Sequence, residues 1–320
     1  MTAIALRAAF TAATLSLAPI GGVRSLASKY DAFLLDQFGV LHDGARALPG
    51  AAECYAELSN AGKKLIVLSN TSRRKHDALK KLGKLGFDAD ALTDFICSGE
   101  EAWQHVSKAY TGRRLLWLAW EDDYLGFDNA GYLDGLKVSL ASAEKADAIL
   151  AQGTQIIKGG GVVGTDVFAT GSVSEGDELS NTLRTCRERG VTMLCCNPDF
   201  QATQPDGSIG YMPGTVARHY ESTGGSVTHF GKPYGAAFAA CLAQLDGIPK
   251  ERICHVGDSL DHDVVGANAA GIDSLFVTSG IHAPELPHAD EGDEALAEAA
   301  IALCLSKGAQ PTHIIREFVW

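Results

Sequence analysis

The sequence has no apolar run of about 18 residues, the length that a membrane-spanning helix requires. It also has no C-x-x-C pair, so a zinc ribbon is not predicted. Positive charge is scarce, since 27 Lys and Arg stand against 39 Asp and Glu and give a formal net charge of −12. An acidic surface repels phosphate backbones and anionic lipids, so we predict neither a nucleic-acid nor a membrane partner.

The composition is that of a globular protein. Of the 320 residues, 46% are hydrophobic and 21% are charged, which is enough to bury one large domain and a second unit. The 8 cysteines lie mostly in apolar segments such as Leu194-Cys195-Cys196, which predicts buried, reduced thiols rather than disulfides. A reducing compartment follows, and we predict a cytoplasmic protein.

The first 29 residues differ from the rest of the chain. They carry Arg7, Arg24 and Lys29, no acidic residue, and several Ser, Thr and Ala. This composition is typical of a transit segment for a mitochondrion or plastid, which is the alternative localisation. A secretory segment, because 8–20 is apolar, and a plain N-terminal extension also stay open. We treat 1–29 as an extension outside the folded domains.

Short apolar strands alternate with amphipathic helices, a pattern that predicts an α/β protein with a doubly wound parallel sheet. Strands are predicted at 33–35, 65–68, 253–256 and 274–277, and each ends in a polar or glycine residue. A further βα series is predicted between 113 and 196. Ligands bind beyond the carboxyl ends of parallel strands, so we expect the polar residues to converge there.

Two local patterns concern the middle of the chain. Ser98 followed by Glu101 is a capping-box pattern, which predicts a helix from there to about Tyr110. The run 158–164 is rich in glycine, and a dinucleotide-binding loop is one interpretation of it. That interpretation is disfavoured, because the run lacks a long preceding strand and an acidic partner about 20 residues further on.

Two segments that follow predicted strands carry groups suited to phosphate chemistry. Asp36 follows strand 33–35, which presents a carboxylate at the mouth of the sheet, although an Asp that only caps the loop is the alternative. Ser69 and Asn70 stand where a strand becomes a helix. Their hydroxyl and amide, with the N–H groups nearby, suit an anion such as phosphate, and an ordinary helix cap is the alternative.

Two later segments complete the set. Lys232 lies between Gly and Pro at a predicted helix start, so it is held in place and can neutralise developing negative charge. Asp258, Asp261 and Asp263 follow strand 253–256. Three carboxylates this close repel one another unless a cation is present, and their oxygens suit Mg²⁺.

In this order the four segments resemble motifs I to IV of the haloacid dehalogenase (HAD) superfamily. The similarity is in particular to class IIA, the sugar-phosphatase and 4-nitrophenyl phosphatase-like group with a large C2-type cap. It covers about 30–320 and includes Asn197-Pro198-Asp199. The resemblance implies a Rossmann-like core over 30–92 and 205–320, with an inserted α/β cap over 93–204.

The resemblance also implies a Mg²⁺-dependent hydrolase that acts on a small phosphorylated metabolite through an aspartyl-phosphate. The implied catalytic residues are Asp36, as the nucleophile, and Lys232. The implied phosphate ligands are Ser69, Asn70 and Lys232. The implied metal ligands are Asp36, the backbone carbonyl of Phe38, Asp258 and Asp263. A metal ion there would screen the carboxylates from an anionic substrate.

One position departs from the family pattern. Phosphatases of this superfamily have a second aspartate two residues after the nucleophile, as general acid and base, and here that residue is Phe38. General acid–base assistance is typically worth about 10²–10⁴-fold, so we expect slow reaction with alkyl phosphates.

Three explanations of this departure stay open. His42, Asp43 or a cap residue replaces the acid, or the substrate has a good leaving group. The third is that the chain is a weakly active or inactive protein that binds phosphorylated ligands for regulation. Asn197 and Asp199 are further candidates for substrate contacts, together with His42 and Asp43. A homo-oligomer stays open as a partner prediction, because the oligomeric state is not readable from the sequence.

Overall fold

The computed structural model describes residues 17–122, 124, 129–204 and 207–320. The transit-segment prediction falls largely on residues 1–16, outside the described residues. The chain divides into two compact units. The first comprises the described residues up to Leu68, with Leu82–Asp94 and Phe238–Trp320. The second comprises Ser69–Lys81 and Phe95–Ala237.

Strands and helices alternate along the chain. The strands are β1 Pro19–Ile20, β2 Ala32–Leu35, β3 Lys64–Ser69, β4 Asp94–Cys97, β5 Arg114–Ala119, β6 Ser139–Leu140, β7 Ala148–Ala151, β8 Ile156–Lys158, β9 Val162–Gly164, β10 Thr192–Cys195, β11 Gln201–Thr203, β12 Ile209–Tyr211, β13 Val227–His229, β14 Ile253–Gly257, β15 Asp273–Val277 and β16 His313–Ile315. The α-helices are α1 Ala51–Asn60, α2 Lys75–Lys84, α3 Ser98–Ala109, α4 Asn129–Tyr132, α5 Val167–Thr170, α6 Glu178–Glu188, α7 Pro213–Ser222, α8 Gly235–Ala243, α9 Val265–Ala270 and α10 Gly292–Lys307.

The first unit is built on a parallel sheet. Its strands lie in the order β1-β16-β15-β14-β2-β3, and each neighbouring pair is parallel. Leu35 of β2 lies opposite Val256 of β14 and Val67 of β3, so the carboxyl ends of these strands lie at the same edge of the sheet. The predicted α/β class with a parallel sheet is confirmed.

The apolar sequence of the central strands explains why the sheet is covered on both faces. Every residue of β2 and of β14 is buried, so neither strand alternates between a wet and a dry face. Phe276 of β15 packs in a core cluster with Leu296 of α10. Burying one such large apolar side chain contributes about 1.5–3 kcal/mol to folding, so this packing stabilises the sheet and the positions of its strand ends.

The second unit has its own α/β sheet. Its strands lie in the order β13-β10-β7-β5-β8-β9, and β13, β10, β7 and β5 run parallel. Because β13 pairs with β10, this sheet continues beyond residue 204, the predicted end of the cap. The predicted cap boundaries stay a prediction about domain organisation.

The glycine-rich run 158–164 forms a hairpin. Strands β8 and β9 pair antiparallel, with Lys158 opposite Val162, and the glycines between them make the turn. A dinucleotide-binding loop leads from a strand into a helix, so the hairpin agrees with rejecting that interpretation.

Helix α3 begins at Ser98 as predicted, but the predicted capping box is wrong. Cys97 is the N-cap residue, and no side chain caps the helix. Ser98 Oγ donates instead to the Thr71 carbonyl at 3.2 Å, and Glu101 Oε2 accepts from the Gly231 N–H at 2.9 Å. Tertiary partners have replaced the local ones.

Two further sequence-based expectations can be compared with the structure. All 8 cysteines are buried and free, as predicted. Within the described part of the chain, none of the helices has the length and hydropathy needed to cross a bilayer.

Candidate active site

Three carboxylates meet at the carboxyl end of the first sheet. Asp36 follows β2, Asp258 follows β14, and Asp263 lies in the π-helical turn Leu260–Val264. Each offers one oxygen, and these oxygens lie within 4.8 Å of one another. All three residues are buried, with at most 8% of their surface exposed. We call this group the carboxylate cluster.

Main-chain N–H groups orient the first two carboxylates of the cluster. Asp36 Oδ1 accepts from the Gln37 N–H at 2.7 Å, and the Asp36 N–H donates to the Val256 carbonyl at 2.9 Å. Asp258 Oδ2 accepts from the Ile281 N–H at 2.8 Å. These bonds fix each carboxylate before any ligand arrives, because a backbone donor has no rotamers of its own.

Two glycines leave the room that Asp258 occupies. A β-carbon at Gly39 or at Gly280 would overlap the Asp258 carboxylate. Gly39 also has φ +75°, a left-handed conformation that favours glycine. The backbone at Gly39 and Gly280 therefore packs directly against the Asp258 carboxylate, with no space for a side chain between them.

The carboxylate cluster fits a divalent metal ion. Burying three like charges is costly unless a cation lies among them, and hard carboxylate oxygens are the donors that Mg²⁺, Ca²⁺ and Mn²⁺ prefer. The structure thus brings together the three predicted aspartate ligands. The loop has one more aspartate, Asp261, which is exposed and forms an ion pair with Lys307 at 2.9 Å. It therefore lies outside the carboxylate cluster.

Phe38 lies in the turn after Asp36, half-buried, and its ring packs edge-on against His42 with centroids 5.6 Å apart. His42 is buried, and its Nδ1 accepts from the Gly44 N–H at 3.0 Å. The role of the Phe38 carbonyl as a metal ligand stays a prediction.

Asp43 is held by the chain that follows it. Its Oδ1 accepts from the N–H groups of Ala45, at 2.8 Å, and Arg46, at 2.7 Å. Burial opposes the shift, but these hydrogen bonds lower the pKa of Asp43 below its usual value. A carboxyl group that stays ionised in this way is a poor proton donor.

The predicted phosphate ligands lie together in the second unit. Ser69 is the last residue of β3, and its Oγ accepts from the Thr71 N–H at 3.3 Å. Asn70 Oδ1 accepts from the Lys232 N–H at 2.7 Å, and Asn70 Nδ2 donates to the Lys232 carbonyl at 3.0 Å. The amide therefore clamps the main chain of Lys232, a residue that is 2% exposed.

Asn197 and Asp199 join the same network. Asp199 Oδ1 accepts from Asn70 Nδ2 at 2.8 Å, and Asn197 Oδ1 accepts from the Asp199 N–H at 2.9 Å. We call Asn70, Asp199 and Lys232 the amide–lysine cluster. The side chain of Asn70 is engaged by protein partners, and its predicted role in phosphate binding stays a prediction.

Gly231 shapes the turn before Lys232. It has φ +93°, and a β-carbon there would overlap the Asn70 side chain and Ser98. Its N–H donates to Glu101, as described above. Burial raises the pKa of Glu101, although the Gly231 N–H acts in the opposite direction.

Two further buried side chains with polar partners, His255 and Trp120, lie outside the sequence motifs. His255 Nε2 lies 2.7 Å from Asp263 Oδ1, and Trp120 Nε1 donates to Ser72 Oγ at 3.1 Å. A histidine inside an apolar strand just before an acidic loop was a readable signal. The tryptophan gave none, because its partner lies 48 residues away.

Together, a parallel α/β sheet and a carboxylate cluster at the carboxyl ends of its strands define a class of metal-binding α/β enzymes. Residues 33–132 match the family model described as haloacid dehalogenase-like hydrolase, and residues 229–302 match a second model described as HAD-hydrolase-like. These two regions make up more than half of the chain. The chain belongs to the haloacid dehalogenase-like hydrolases, as the motifs predicted.

Named relatives and solved structures agree with this assignment. The chain is 26% identical to a 4-nitrophenylphosphatase of Schizosaccharomyces pombe, over 80% of this chain and 86% of the relative. It is 27% identical to a D-glycerol 3-phosphate phosphatase of Mycobacterium tuberculosis, over 81% of this chain and 66% of the relative. The crystal structure of a haloacid dehalogenase-like hydrolase from Brucella suis shares the fold, with a TM-score of 0.72, 22% identity, and coverage of 93% of this chain and 99% of that chain. The predicted likeness to the class IIA group is confirmed.

Proposed function

We propose that this chain is a Mg²⁺-dependent phosphatase of a small phosphorylated metabolite and that it acts through an aspartyl-phosphate on Asp36. The observation that carries the proposal is the carboxylate cluster, in which three buried aspartates offer oxygens within 4.8 Å of one another. The names of the relatives, a 4-nitrophenylphosphatase and a D-glycerol 3-phosphate phosphatase, support a phosphate monoester as the substrate class.

Asp36 is assigned as the nucleophile. One of its carboxylate oxygens attacks phosphorus, the bond from phosphorus to the ester oxygen breaks, and the alcohol leaves with a proton from solvent or an acid. Water then hydrolyses the aspartyl-phosphate, which releases phosphate and restores the carboxylate. The hydrogen bond from Gln37 supports this role, because it holds the carboxylate in one orientation.

Asp36, Asp258, Asp263 and the Phe38 carbonyl are assigned as the metal ligands. When bound, Mg²⁺ would screen the carboxylate charges from the anionic phosphate. Ser69, the loop N–H groups at Asn70, and the Lys232 ammonium are assigned to the phosphoryl oxygens. The clamp on Lys232 supports its role, because it fixes the main chain from which the ammonium extends.

The proton donor for the leaving group is the weak point of the reaction. His42 and Asp43 each accept hydrogen bonds from backbone N–H groups, at His42 Nδ1 and Asp43 Oδ1, and Asp43 is held ionised. These contacts favour a substrate with a good leaving group over a substitute acid from this turn.

We further propose that the cap lies within the second unit.

The test is phosphate release from a panel of aryl and alkyl phosphates in the presence of Mg²⁺. Asp36→Asn should lower activity by about 10³-fold or more, because it removes the nucleophile. The matched control is Asp31→Asn, which changes an aspartate just before the same strand and should keep activity. Equal activity of Asp36→Asn and wild type would contradict the proposal. No activity on any ester, with phosphate still bound, would favour the regulatory alternative.

The leaving-group argument has its own variant. Phe38→Asp supplies a carboxyl group at the position of the missing acid and should raise activity on alkyl phosphates, by up to about 10²-fold. The gain on 4-nitrophenyl phosphate should be small, because that leaving group needs little protonation. Equal gains on both would show that the acid is not what Phe38 lacks.

A further inference from the structure

His255 is a buried histidine in the middle of an apolar strand. It belongs to β14, in which every residue is buried, and its side chain is 0% exposed. One edge of its ring packs against Phe238, with centroids 5.3 Å apart. An aliphatic residue would fill this place in the core without burying a polar group. Burying the ring nitrogens costs free energy unless they form hydrogen bonds.

Asp263 is the hydrogen-bond partner of the His255 ring. His255 Nε2 lies 2.7 Å from Asp263 Oδ1, and the Ser259 N–H donates to Asp263 Oδ2 at 2.9 Å. A carboxylate that is to hold a cation must be ionised, and an ionised carboxylate only accepts hydrogen bonds. The hydrogen between the two side chains therefore belongs to His255 Nε2.

These two bonds fix Asp263 at both oxygens. Rotation about the Cβ–Cγ bond would break both hydrogen bonds, so the carboxylate plane is set by His255 on one side and the main chain on the other. Gly257 makes room for this packing, since a β-carbon there would overlap the Asp263 carboxylate. Asp36 and Asp258 accept from backbone donors, whereas Asp263 is held by a backbone donor and by the His255 side chain.

We infer that His255 is a positioning residue that orients Asp263 for a divalent metal ion in the carboxylate cluster. The inference rests on the proposed metal site and adds a residue to it. Hydrogen bonds to ligating carboxylates commonly set metal affinity, and loss of such a partner typically costs about 10–100-fold.

The test is Mn²⁺ binding by the full chain, measured by electron paramagnetic resonance, without substrate. His255→Met removes the donor and keeps an apolar filling, so Kd should rise by about 10–100-fold. His255→Gln and His255→Asn form a matched pair, because both carry an amide but only Gln reaches the position of Nε2. Gln should restore much of the affinity and Asn should not.

A second readout separates positioning from general damage. In the His255→Met variant, added Mg²⁺ should restore most of kcat, because the defect is in metal affinity. In the Asp263→Asn background, His255→Met should weaken Mn²⁺ binding no further. If His255→Met does not fold, the Gln and Asn pair decides the question.

The outcomes distinguish this inference from the proposed function. Wild-type protein that binds no Mn²⁺ would contradict the proposed metal site itself. Wild-type protein that binds Mn²⁺, with Gln and Asn variants of equal affinity, would overturn only the role of His255.

Discussion

The carboxylate cluster of the first unit and the amide–lysine cluster of the second are built in opposite ways. Asp36 and Asp258 are each held by a main-chain N–H, so the backbone positions the side chains. In the second unit the Asn70 side chain holds the main chain of Lys232. In the carboxylate cluster, backbone donors hold charged side chains, whereas in the amide–lysine cluster a side-chain amide holds the backbone of a cationic residue. Added backbone volume at Gly39 or Gly280 should therefore disturb the carboxylate cluster, and loss of the Asn70 amide should disturb the amide–lysine cluster.

The largest effect is expected from added volume at the carboxylate cluster. Gly280→Ala places a methyl group where the Asp258 carboxylate lies, so the carboxylate must move. Mn²⁺ affinity should fall by about 100-fold, and Mg²⁺-dependent activity should fall with it. Metal titration of the purified variant measures the change.

The matched control is Gly83→Ala in helix α2. A β-carbon there meets nothing within 4 Å, so metal affinity should be unchanged. Helical Gly→Ala changes typically stabilise by about 1 kcal/mol, so this variant should be slightly more stable than wild type. If Gly280→Ala binds Mn²⁺ as tightly as Gly83→Ala, the main chain does not set the position of Asp258.

The next effect is expected from the clamp on Lys232. Asn70→Ala removes both hydrogen bonds to the Lys232 main chain, so kcat/KM should fall by about 10-fold or more through misplacement of the lysine. Steady-state kinetics on the best ester of the panel measures it.

Asn268 provides an unusually close control for this clamp. Its amide makes the same pair of bonds to the main chain of Gln310, at 2.9 and 3.0 Å, and it is exposed. Asn268→Ala should leave kcat/KM unchanged. Equal losses in the two variants would mean that Asn70 acts only through general stability.

A smaller effect concerns pH. Burial raises the pKa of Glu101 above its usual 4.5, so folding favours the protonated form. The contribution of Glu101 to stability is therefore complete below 4.5 and is lost as the pH rises through the raised pKa. Glu101→Gln keeps an acceptor for Gly231 and has no charge to bury, so its thermal midpoint should lack this decline.

The neighbouring Glu100 has the opposite shift. Burial opposes it, but the Arg74 guanidinium, 2.7 Å away, lowers the pKa of Glu100. Its contribution is present above the usual 4.5 and is lost as the pH falls through the lowered pKa. Glu100→Gln should therefore lose stability at neutral pH. Thermal scans of both variants across the acidic and neutral range check the signs, and identical profiles would contradict them.

The smallest effect is expected from Asp43→Asn. Because backbone donors hold Asp43 ionised, we expect that it does not supply the leaving-group proton, and kcat on alkyl phosphates, whose leaving groups need that proton, should change by less than about twofold. A pH–rate profile that loses its limb in this variant would show that Asp43 does act as the acid.

Much of this arrangement could be read from the sequence, for identifiable reasons. Asp36 and Asp258 were predictable because each follows a largely apolar strand, and parallel strands end at one edge. The local capping box at Ser98 and Glu101 was wrong, because both side chains bind residues far away in sequence. The role of Asn70 was harder to predict for the same reason. Sequence spacing does not reveal that its amide hydrogen-bonds to the main chain of Lys232. Short-range patterns report the strands, and long-range polar contacts become visible only in the fold.

The clamp between Asn70 and Lys232 joins residues that are 162 positions apart. Closing so long a loop costs chain entropy, and the two hydrogen bonds of the clamp contribute to offsetting that cost. A nascent chain that has not yet emerged from the ribosome as far as residue 232 contains the Asn70 amide but not the Lys232 main chain to which that amide binds. Asp258 and Asp263 come later still, so a chain made only as far as residue 232 lacks two of the three aspartates of the carboxylate cluster.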